Sequence, residues 1–478
     1  MAGRGQPAPA LHSGAHLAGL VLELIYQLLF YLALPLLCLH CLLRARGDKR
    51  YLTALPDRLG FIRRQPGLEG CLWIHAVSVG EVHAATPLIQ ALRQRYPHRH
   101  LLVTTTTPAG ADAVRRIIDA DHGLDRALAS RGVSHSYLPW DLPGASKRFL
   151  ARAQPAAGLI LETELWPTLF GVCRRRKVPL LLVNARRSAR STRHYQWIRP
   201  LISRTLNQTE RILTRGEADA RRFRALGACC QRLCVTGNIK FDYRVPATLA
   251  DEGRALRLGM GQRPVWMAAC THAGEEEQIL TAHHRLREHY PQLLLVMAPR
   301  HPRRCERLAA LCQSQGLLAL RTSQCAGLGR NPGRHACRHG IRADTAVLLG
   351  DGLGELPRLY ALSDIAFIGG SLVRAGGHNP LEAAAQGLAL LIGPHTHKMD
   401  ETLALFLRSD AMTRVSDDHD LARAITHLLR NPAVRQARGR NARSLILAGR
   451  GATGRVLAEL HTVLRKRATL SLDCTSMA

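Results

Sequence analysis

The 478-residue chain is too long for one hydrophobic core and predicts two or three domains. Its 66 Lys and Arg against 36 Asp and Glu give a net charge of +30, which calls for an anionic partner: nucleic acid, an anionic membrane surface or phosphorylated ligands. The basic residues are spread over the whole chain, aromatics are only 5 % and no zinc-finger spacing is present, so a membrane surface plus phosphate ligands is favoured and no nucleic-acid partner is expected.

Residues 17–43 are overwhelmingly apolar, with Glu23 and Gln27 interrupting only the first third. Residues 24–43 carry no formal charge, enough to cross a hydrocarbon core of ~30 Å as a helix. Arg44, Arg46, Lys49, Arg50 and Arg58 follow at once, so the positive-inside rule puts the downstream chain in the cytoplasm. No small-residue cleavage site is evident, and residues 1–46 read as one uncleaved membrane anchor rather than a signal peptide. Pro35 and Glu23 leave open a kinked helix lying in the membrane interface. The 13 cysteines are odd in number and many lie in apolar runs (Cys71, Cys173, Cys270), which fits a reducing compartment better than a disulfide framework. Cys38 and Cys41 form a CxxC inside the apolar helix without further ligands, so no metal site is expected there.

Residues 47–245 read as a first α/β domain with strands at 72–77, 101–106, 158–161, 179–184 and 211–214, and helices between them such as 84–96 and 142–153. Buried strands alternating with helices indicate a parallel sheet covered on both faces. The first strand runs into Ser78-Val79-Gly80-Glu81, a small loop and a carboxylate at a helix start. Ligands in open α/β sheets sit at such strand ends, where Glu81 could take a proton from a bound hydroxyl; an ordinary glutamate favoured by the helix dipole is the competing reading.

A polar stretch at 246–264 reads as a linker. The second domain, 265–440, has strands at 264–270, 293–298, 317–320, 346–349, 365–369 and 388–392, and 441–478 is expected as a C-terminal helix and tail. After the first of these strands, Thr271-His272-Ala273-Gly274-Glu275-Glu276-Glu277 forms a polar turn whose backbone N–H groups could cradle a phosphate. Pro299-Arg300-His301-Pro302 places a guanidinium at a strand end, suited to a phosphate or base carbonyl. Gly352-Leu353-Gly354-Glu355 is a glycine turn onto a helix, and Gly377-His378-Asn379-Pro380-Leu381-Glu382 opens another helix with a proline in its first turn. Glu382 could accept hydrogen bonds from both hydroxyls of a ribose. Turns, helix caps and solvated basic loops account for the same residues if no ligand binds.

Taken together, these motifs resemble the 3-deoxy-D-manno-octulosonic acid (Kdo) transferase family of lipopolysaccharide biosynthesis. The resemblance runs from the anchor to about residue 395. It rests on His75-Ala76-Val77-Ser78-Val79-Gly80-Glu81, Glu162-Thr163-Glu164-Leu165-Trp166-Pro167, Asn184-Ala185-Arg186-Arg187-Ser188, Gly237-Asn238-Ile239-Lys240-Phe241-Asp242, Pro299-Arg300-His301-Pro302 and Gly377-His378-Asn379-Pro380-Leu381-Glu382, in that order. It implies an α/β fold of two doubly wound Rossmann-like domains facing across a cleft (GT-B), behind a membrane-anchor helix. It also implies an inverting transfer of Kdo from CMP-Kdo to lipid IVA, a tetra-acylated disaccharide bisphosphate, at the cytoplasmic face of the inner membrane. Glu81 falls on the family's general base, and Glu162 and Lys240 on groups that assist the transition state. Pro299, Arg300, Leu353, Gly354, Glu355, Asn379, Pro380, Leu381 and Glu382 fall on its CMP-binding positions.

The single phosphodiester of such a donor puts about one negative charge on the leaving phosphate, which helix N-termini and a cation such as Arg300 or Lys240 could stabilise with no metal and no cofactor. Ser78, Arg186 and Arg190, with Arg187, are candidates for holding the phosphorylated acceptor. Departures from the family pattern are the long stretch 117–134, an apparent insertion at 324–342 and Thr396-His397-Lys398. Another GT-B enzyme using a UDP-sugar is the alternative.

Overall fold

The computed structural model describes residues 12–64, 67–121, 132–325, 341–397 and 399–475. Both stretches read as insertions therefore lie partly outside the described residues, as does Lys398. The chain divides into two compact units, Met1–Asp242 with Arg450–Ala478, and Tyr243–Gly449.

The first unit begins with α1 (His12–Ala45), with Pro35 inside it, then the short α2 (Arg50–Thr53) and α3 (Leu55–Arg58). Next come β1 (Leu72–His75), α4 (Val79–Arg95), β2 (Leu101–Thr105), α5 (Pro108–Asp121), β3 (Val133–Tyr137), α6 (Pro143–Ala153), β4 (Ala157–Leu161), α7 (Pro167–Arg175) and β5 (Leu180–Ala185). They are followed by α8 (Ala189–Gln196), α9 (Arg199–Leu206), β6 (Arg211–Thr214), α10 (Glu217–Ala225) and β7 (Leu233–Val235). The seven strands are parallel in the order β3-β2-β1-β4-β5-β6-β7. β1 is buried at all four positions because helices cover both sheet faces, which explains its unbroken apolar start, Leu72-Trp73-Ile74. The strand order reverses between β1 and β4, so the loops after those two strands border the crevice where doubly wound sheets place ligands.

α1 packs along this unit. Arg204 Nε donates to Glu23 Oε2 at 2.7 Å, and Phe30, Leu34, Leu37, Cys38 and Cys41 join the cluster of Trp140, Leu142 and Ala145. The remaining face leaves Leu17, Leu24, Leu28, Leu32, Leu36, Leu39 and Leu43 exposed.

The second unit contains α11 (Ala247–Gly259), β8 (Val265–Thr271), α12 (Glu276–His289), β9 (Leu294–Pro299), α13 (Cys305–Ser314), β10 (Ala319–Arg321), β11 (Val347–Leu349) and α14 (Leu356–Ala361). It continues with β12 (Ile365–Ile368), α15 (Leu381–Ala385), β13 (Ala389–Ile392), α16 (Asp400–Arg408), β14 (Met412–Arg414), α17 (Asp418–Arg430) and α18 (Pro432–Gly449). Its sheet is again parallel, β10-β11-β9-β8-β12-β13-β14, reversing between β8 and β12.

Two expectations need correction. The stretch 246–264 is no linker: α11 lies in the second unit, where Gly253 sits against the backbone of Arg358 and the side chain of Ala361. The C-terminal segment is not a separate tail either. α19 (Ala452–Thr475) returns to the first unit, where Ala452, Val456, Leu460 and Val463 join the core around Ile74 and Val82. Asp242 fixes that return by accepting hydrogen bonds from Gly451 N–H at 2.6 Å and Thr453 N–H at 2.5 Å.

Candidate active site

In the first unit the sequence-selected residues converge on the carboxyl ends of β1, β4 and β5. Ser78 is the N-cap of α4 but its side chain makes no capping bond; Glu81 Oε2 instead folds back to accept Val77 N–H at 2.5 Å. Burial first, and then the negative charge of Glu162, push the Glu81 carboxyl up to about 7, against the opposing bond from Val77. A carboxyl poised near neutrality is what a general base at physiological pH requires. A solvated carboxylate at a helix start would be shifted the other way by the helix dipole.

Glu162 sits at the end of β4 with φ 58°, a left-handed conformation that few side chains adopt, and is 4 % exposed. Its Oε1 lies 2.7 Å from Lys240 Nζ, and its Oε2 accepts from Arg186 Nε at 2.8 Å. Burial pushes the Glu162 carboxyl up, but the two cations outweigh that and hold it below the ordinary value. Glu164, two residues on, is raised by burial.

Lys240 stands on the 3₁₀ turn Ile239–Asp242. Asn184 braces that turn: at the end of β5, with φ 55° and fully buried, it accepts Ile239 N–H on Oδ1 at 3.2 Å. The one sequence signal for its left-handed backbone is an asparagine ending an apolar strand, a residue type enriched in that conformation.

The arginines part company. Arg190 is exposed on the first turn of α8, and Arg186, 40 % exposed, is tied to Glu162. Arg187 is unsuited to a ligand. It is 5 % exposed, bonds Ser191 Oγ and the Thr163 carbonyl, and lies 4.1 Å over the Tyr195 ring.

In the second unit the corresponding loops follow β8 and β12. β8 ends in a bulge at Cys270, φ 59°. Gly369 packs so closely there that a Cβ would meet the Ala269 and Cys270 carbonyl oxygens at 2.7 and 2.8 Å. The turn expected to cradle a phosphate holds a carboxylate of its own. Glu275, fully buried, accepts from His272 N–H (2.8 Å), Gly370 N–H (2.5 Å), Ser371 N–H and Leu372 N–H (both 3.3 Å), so those donors are already taken. Beside it, the His272 and His378 rings stack with centroids 5.0 Å apart.

Arg300 emerges exposed after Pro299, its N–H bound to the Thr271 carbonyl at 2.9 Å. Glu355 is inward-facing: its carboxylate accepts from Thr322 Oγ1 (2.8 Å), Gly352 N–H (3.1 Å) and Arg358 Nη2 (2.8 Å). That turn can therefore offer a ligand only backbone and the exposed Leu353–Gly354 tip, Gly354 having φ 83°. Asn379 is exposed and its Oδ1 accepts Leu381 N–H at 3.3 Å; Pro380 and Leu381 are buried at the head of α15. Burial pushes the Glu382 carboxyl up to about 7, and Glu382 acts electrostatically on Cys270, Tyr243 and Tyr360, a surround the sequence spacing gave no hint of. Away from this site, Asp418 and Asp420 have the Asp-x-Asp spacing of a metal-binding pair, but they bond Arg285 and Arg423 respectively.

A family model described as 3-deoxy-D-manno-octulosonic-acid transferase (kdotransferase) matches residues 53–243. The chain is 36 % identical over 446 residues to the 3-deoxy-D-manno-octulosonic acid transferase of Haemophilus influenzae, covering 91 % of this chain and 99 % of the relative. It is 37 % identical over 444 residues to that of Bordetella pertussis, covering 91 % and 98 %. Among solved structures, the UDP-GlcNAc 2-epimerase from Neisseria meningitidis matches with a TM-score of 0.53 at 14 % identity, covering 82 % of this chain and 99 % of that one, a likeness of fold.

Proposed function

The chain belongs to the 3-deoxy-D-manno-octulosonic acid transferase family, glycosyltransferases of lipopolysaccharide biosynthesis, and we propose that it moves Kdo from CMP-Kdo onto lipid IVA with inversion, without a metal, using Glu81 as general base. In this reaction Glu81 takes the proton of a sugar hydroxyl of the acceptor. The freed oxygen attacks the anomeric carbon of Kdo from the face opposite the phosphate. The bond from that carbon to the phosphate oxygen breaks, and CMP leaves with the electron pair. General-base assistance of this kind typically accelerates a reaction by about 10²–10⁴-fold.

The observation that carries the proposal is the half-buried Glu81 carboxylate beyond β1, folded back onto Val77 N–H and raised to about 7 by desolvation and by the charge of Glu162, which is itself balanced by Lys240 and Arg186. Lys240 and Arg186 supply positive charge against the phosphate as it gains charge in the transition state. Arg190 and Ser78 are the proposed acceptor contacts of the first unit. Pro299, Arg300, the Leu353–Gly354–Glu355 backbone and residues 379–382 are the proposed CMP contacts, with Glu382 on the ribose hydroxyls. The test is donor competition: CMP inhibits transfer and UDP at the same concentration does not. The reverse order overturns the donor assignment.

α1 is long and apolar enough for a membrane span. Its packing on the first unit, from Glu23 to Cys41, favours instead a helix lying in the interface of the inner membrane with the leucine-rich face toward lipid. The catalytic units then stand on the cytoplasmic side, beside the Arg44–Arg50 cluster of positive charge. Release by alkaline carbonate is expected for this arrangement, and retention in the pellet is expected for a span.

A further inference from the structure

The first unit holds a cavity of about 300 Å³ between the last turns of α1 and the carboxyl end of β2, which the chemistry described above does not use. Its cationic lining is Arg44 and Arg58, with His40 beside them and no carboxylate; its apolar lining is Leu37, Cys41 and Trp140. Such a division suits an anionic amphiphile.

Arg58 is the most informative member. It is only 7 % exposed, its Nη2 donates to the Thr106 carbonyl at 2.8 Å, and its Nε is buried with no partner among the described residues. A buried guanidinium held by the Thr106 carbonyl and lying over the Tyr137 ring is costly in its charge, a cost that an anion in the cavity it lines offsets.

The cavity also adjoins the proposed base. Thr106, in its lining, donates both N–H and Oγ1 to the Val77 carbonyl at 3.2 Å, and Val77 N–H is the group that holds Glu81 Oε2. β2 and β1 are neighbours, with strands about 4.8 Å apart, so the cavity lies one strand from Glu81 on the side away from Glu162 and Lys240. The helix turns that contribute Leu37, His40 and Arg44 also carry Leu36, Leu39 and Leu43 on their exposed side.

We infer that this cavity receives the phosphate-bearing sugar end of the acceptor glycolipid, with Arg58 and Arg44 on the phosphate and the acyl chains lying along the exposed leucines of α1. The inference rests on the reading of the acceptor as a phosphorylated lipid and adds the place where it is held. A volume of about 300 Å³ is at the small end of ligand sites and admits one phosphorylated sugar ring, not the whole lipid.

The test uses full-length protein in detergent micelles, with Arg44→Ala, Arg58→Met and Arg58→Lys. Acceptor KM, donor KM and equilibrium binding of labelled lipid IVA without donor are measured, and the kinetics are repeated with an acceptor lacking the phosphate. Arg44→Ala and Arg58→Met are expected to weaken acceptor binding and raise its KM by about ten- to a hundred-fold, the loss of a charge-assisted hydrogen bond. Donor KM should hold and Arg58→Lys should recover part of the loss. The dephosphorylated acceptor should show no difference between wild type and Arg44→Ala. Arg44 is exposed on the last turn of α1, so this variant keeps the test valid if Arg58→Met fails to fold. Unchanged acceptor binding in Arg44→Ala, or an equal penalty with both acceptors, overturns the inference. So does loss of binding to phosphatidylglycerol vesicles with acceptor KM intact, which assigns the cavity to bulk phospholipid. If wild type transfers no Kdo, the proposed reaction fails, and the binding arm still decides whether lipid IVA occupies the cavity.

Discussion

The electrostatics around Glu81 predict opposite effects for two substitutions of one ion pair. Glu162 raises the Glu81 pKa and Lys240 lowers it, so the acid limb of kcat/KM, expected near pH 7, should move down in Glu162→Gln and up in Lys240→Met. Glu81, on the first turn of α4, and Glu162, at the end of β4, lie beyond the carboxyl ends of the paired strands β1 and β4; over a separation of about 6–10 Å one unit charge acts on another with roughly 1.7–2.8 kcal/mol at an effective dielectric of 20. At 1.36 kcal/mol per pH unit that is a displacement of about one to two pH units for Glu162→Gln, reduced to the extent that Lys240 and Arg186 already neutralise Glu162. The sign is fixed by the base being active only when ionised: a lower Glu81 pKa keeps activity to lower pH. The assay is initial-rate transfer at sub-saturating donor from pH 5 to 9, with circular dichroism of each variant to establish folding. Glu162→Gln should also lose rate on the plateau, since Lys240 and Arg186 lose the carboxylate that positions them. A limb that stays in place in both variants, or moves the same way in both, refutes the assignment of Glu81 as the titrating base.

Other consequences are equally direct. Glu275→Ala leaves four backbone N–H groups without their acceptor and should cost about 2–4 kcal/mol, read as a lower Tm of the second unit with a raised donor KM. Arg187→Ala removes a buried cation stacked on Tyr195 and should destabilise by about 2–3 kcal/mol, while leaving acceptor KM in the folded fraction unchanged. Burial depresses His75 and His135 to about 4 and His283 to about 3. For these groups the unfolded chain binds more protons, so stability should be intact above pH 6.5 and fall as pH drops from 6.5 toward 4; a denaturation midpoint flat over that window contradicts the desolvation of the three rings.

Much of the site could be read from the sequence because its residues end apolar strands. Glu162 and Arg300 directly follow runs of buried residues and Glu81 lies one short loop beyond another, and the expected strands at 101–106, 158–161, 365–369 and 388–392 lie within a residue of those observed. β3 was not legible: at the sheet edge its interior is Ser134-His135-Ser136, three polar residues that give neither an apolar run nor an alternation. The polar composition of 246–264 hid α11, whose packing on α14 needs only Ala250 and Gly253 buried. What the sequence could not convey is which polar atoms are already engaged. Glu275 and Glu355 look like ligand groups in their motifs, yet both are bonded by their own and neighbouring loops, Glu275 by the loop after β12 and Glu355 by Thr322, and Arg187 differs from Arg186 only in which way its strand-end backbone turns it. The return of α19 to the first unit depends on Asp242 meeting the Gly451–Thr453 turn, a pairing across more than two hundred residues.

The most direct measurement is transfer of labelled Kdo from CMP-Kdo to lipid IVA by wild type and Glu81→Gln, with chelator present and no metal added. The account predicts transfer by wild type, and loss of about 10²–10⁴-fold in the folded variant without a comparable change in CMP affinity. Transfer by Glu81→Gln near the wild-type rate contradicts the role of Glu81, and no transfer by wild type with verified donor, acceptor and detergent contradicts the proposed reaction itself.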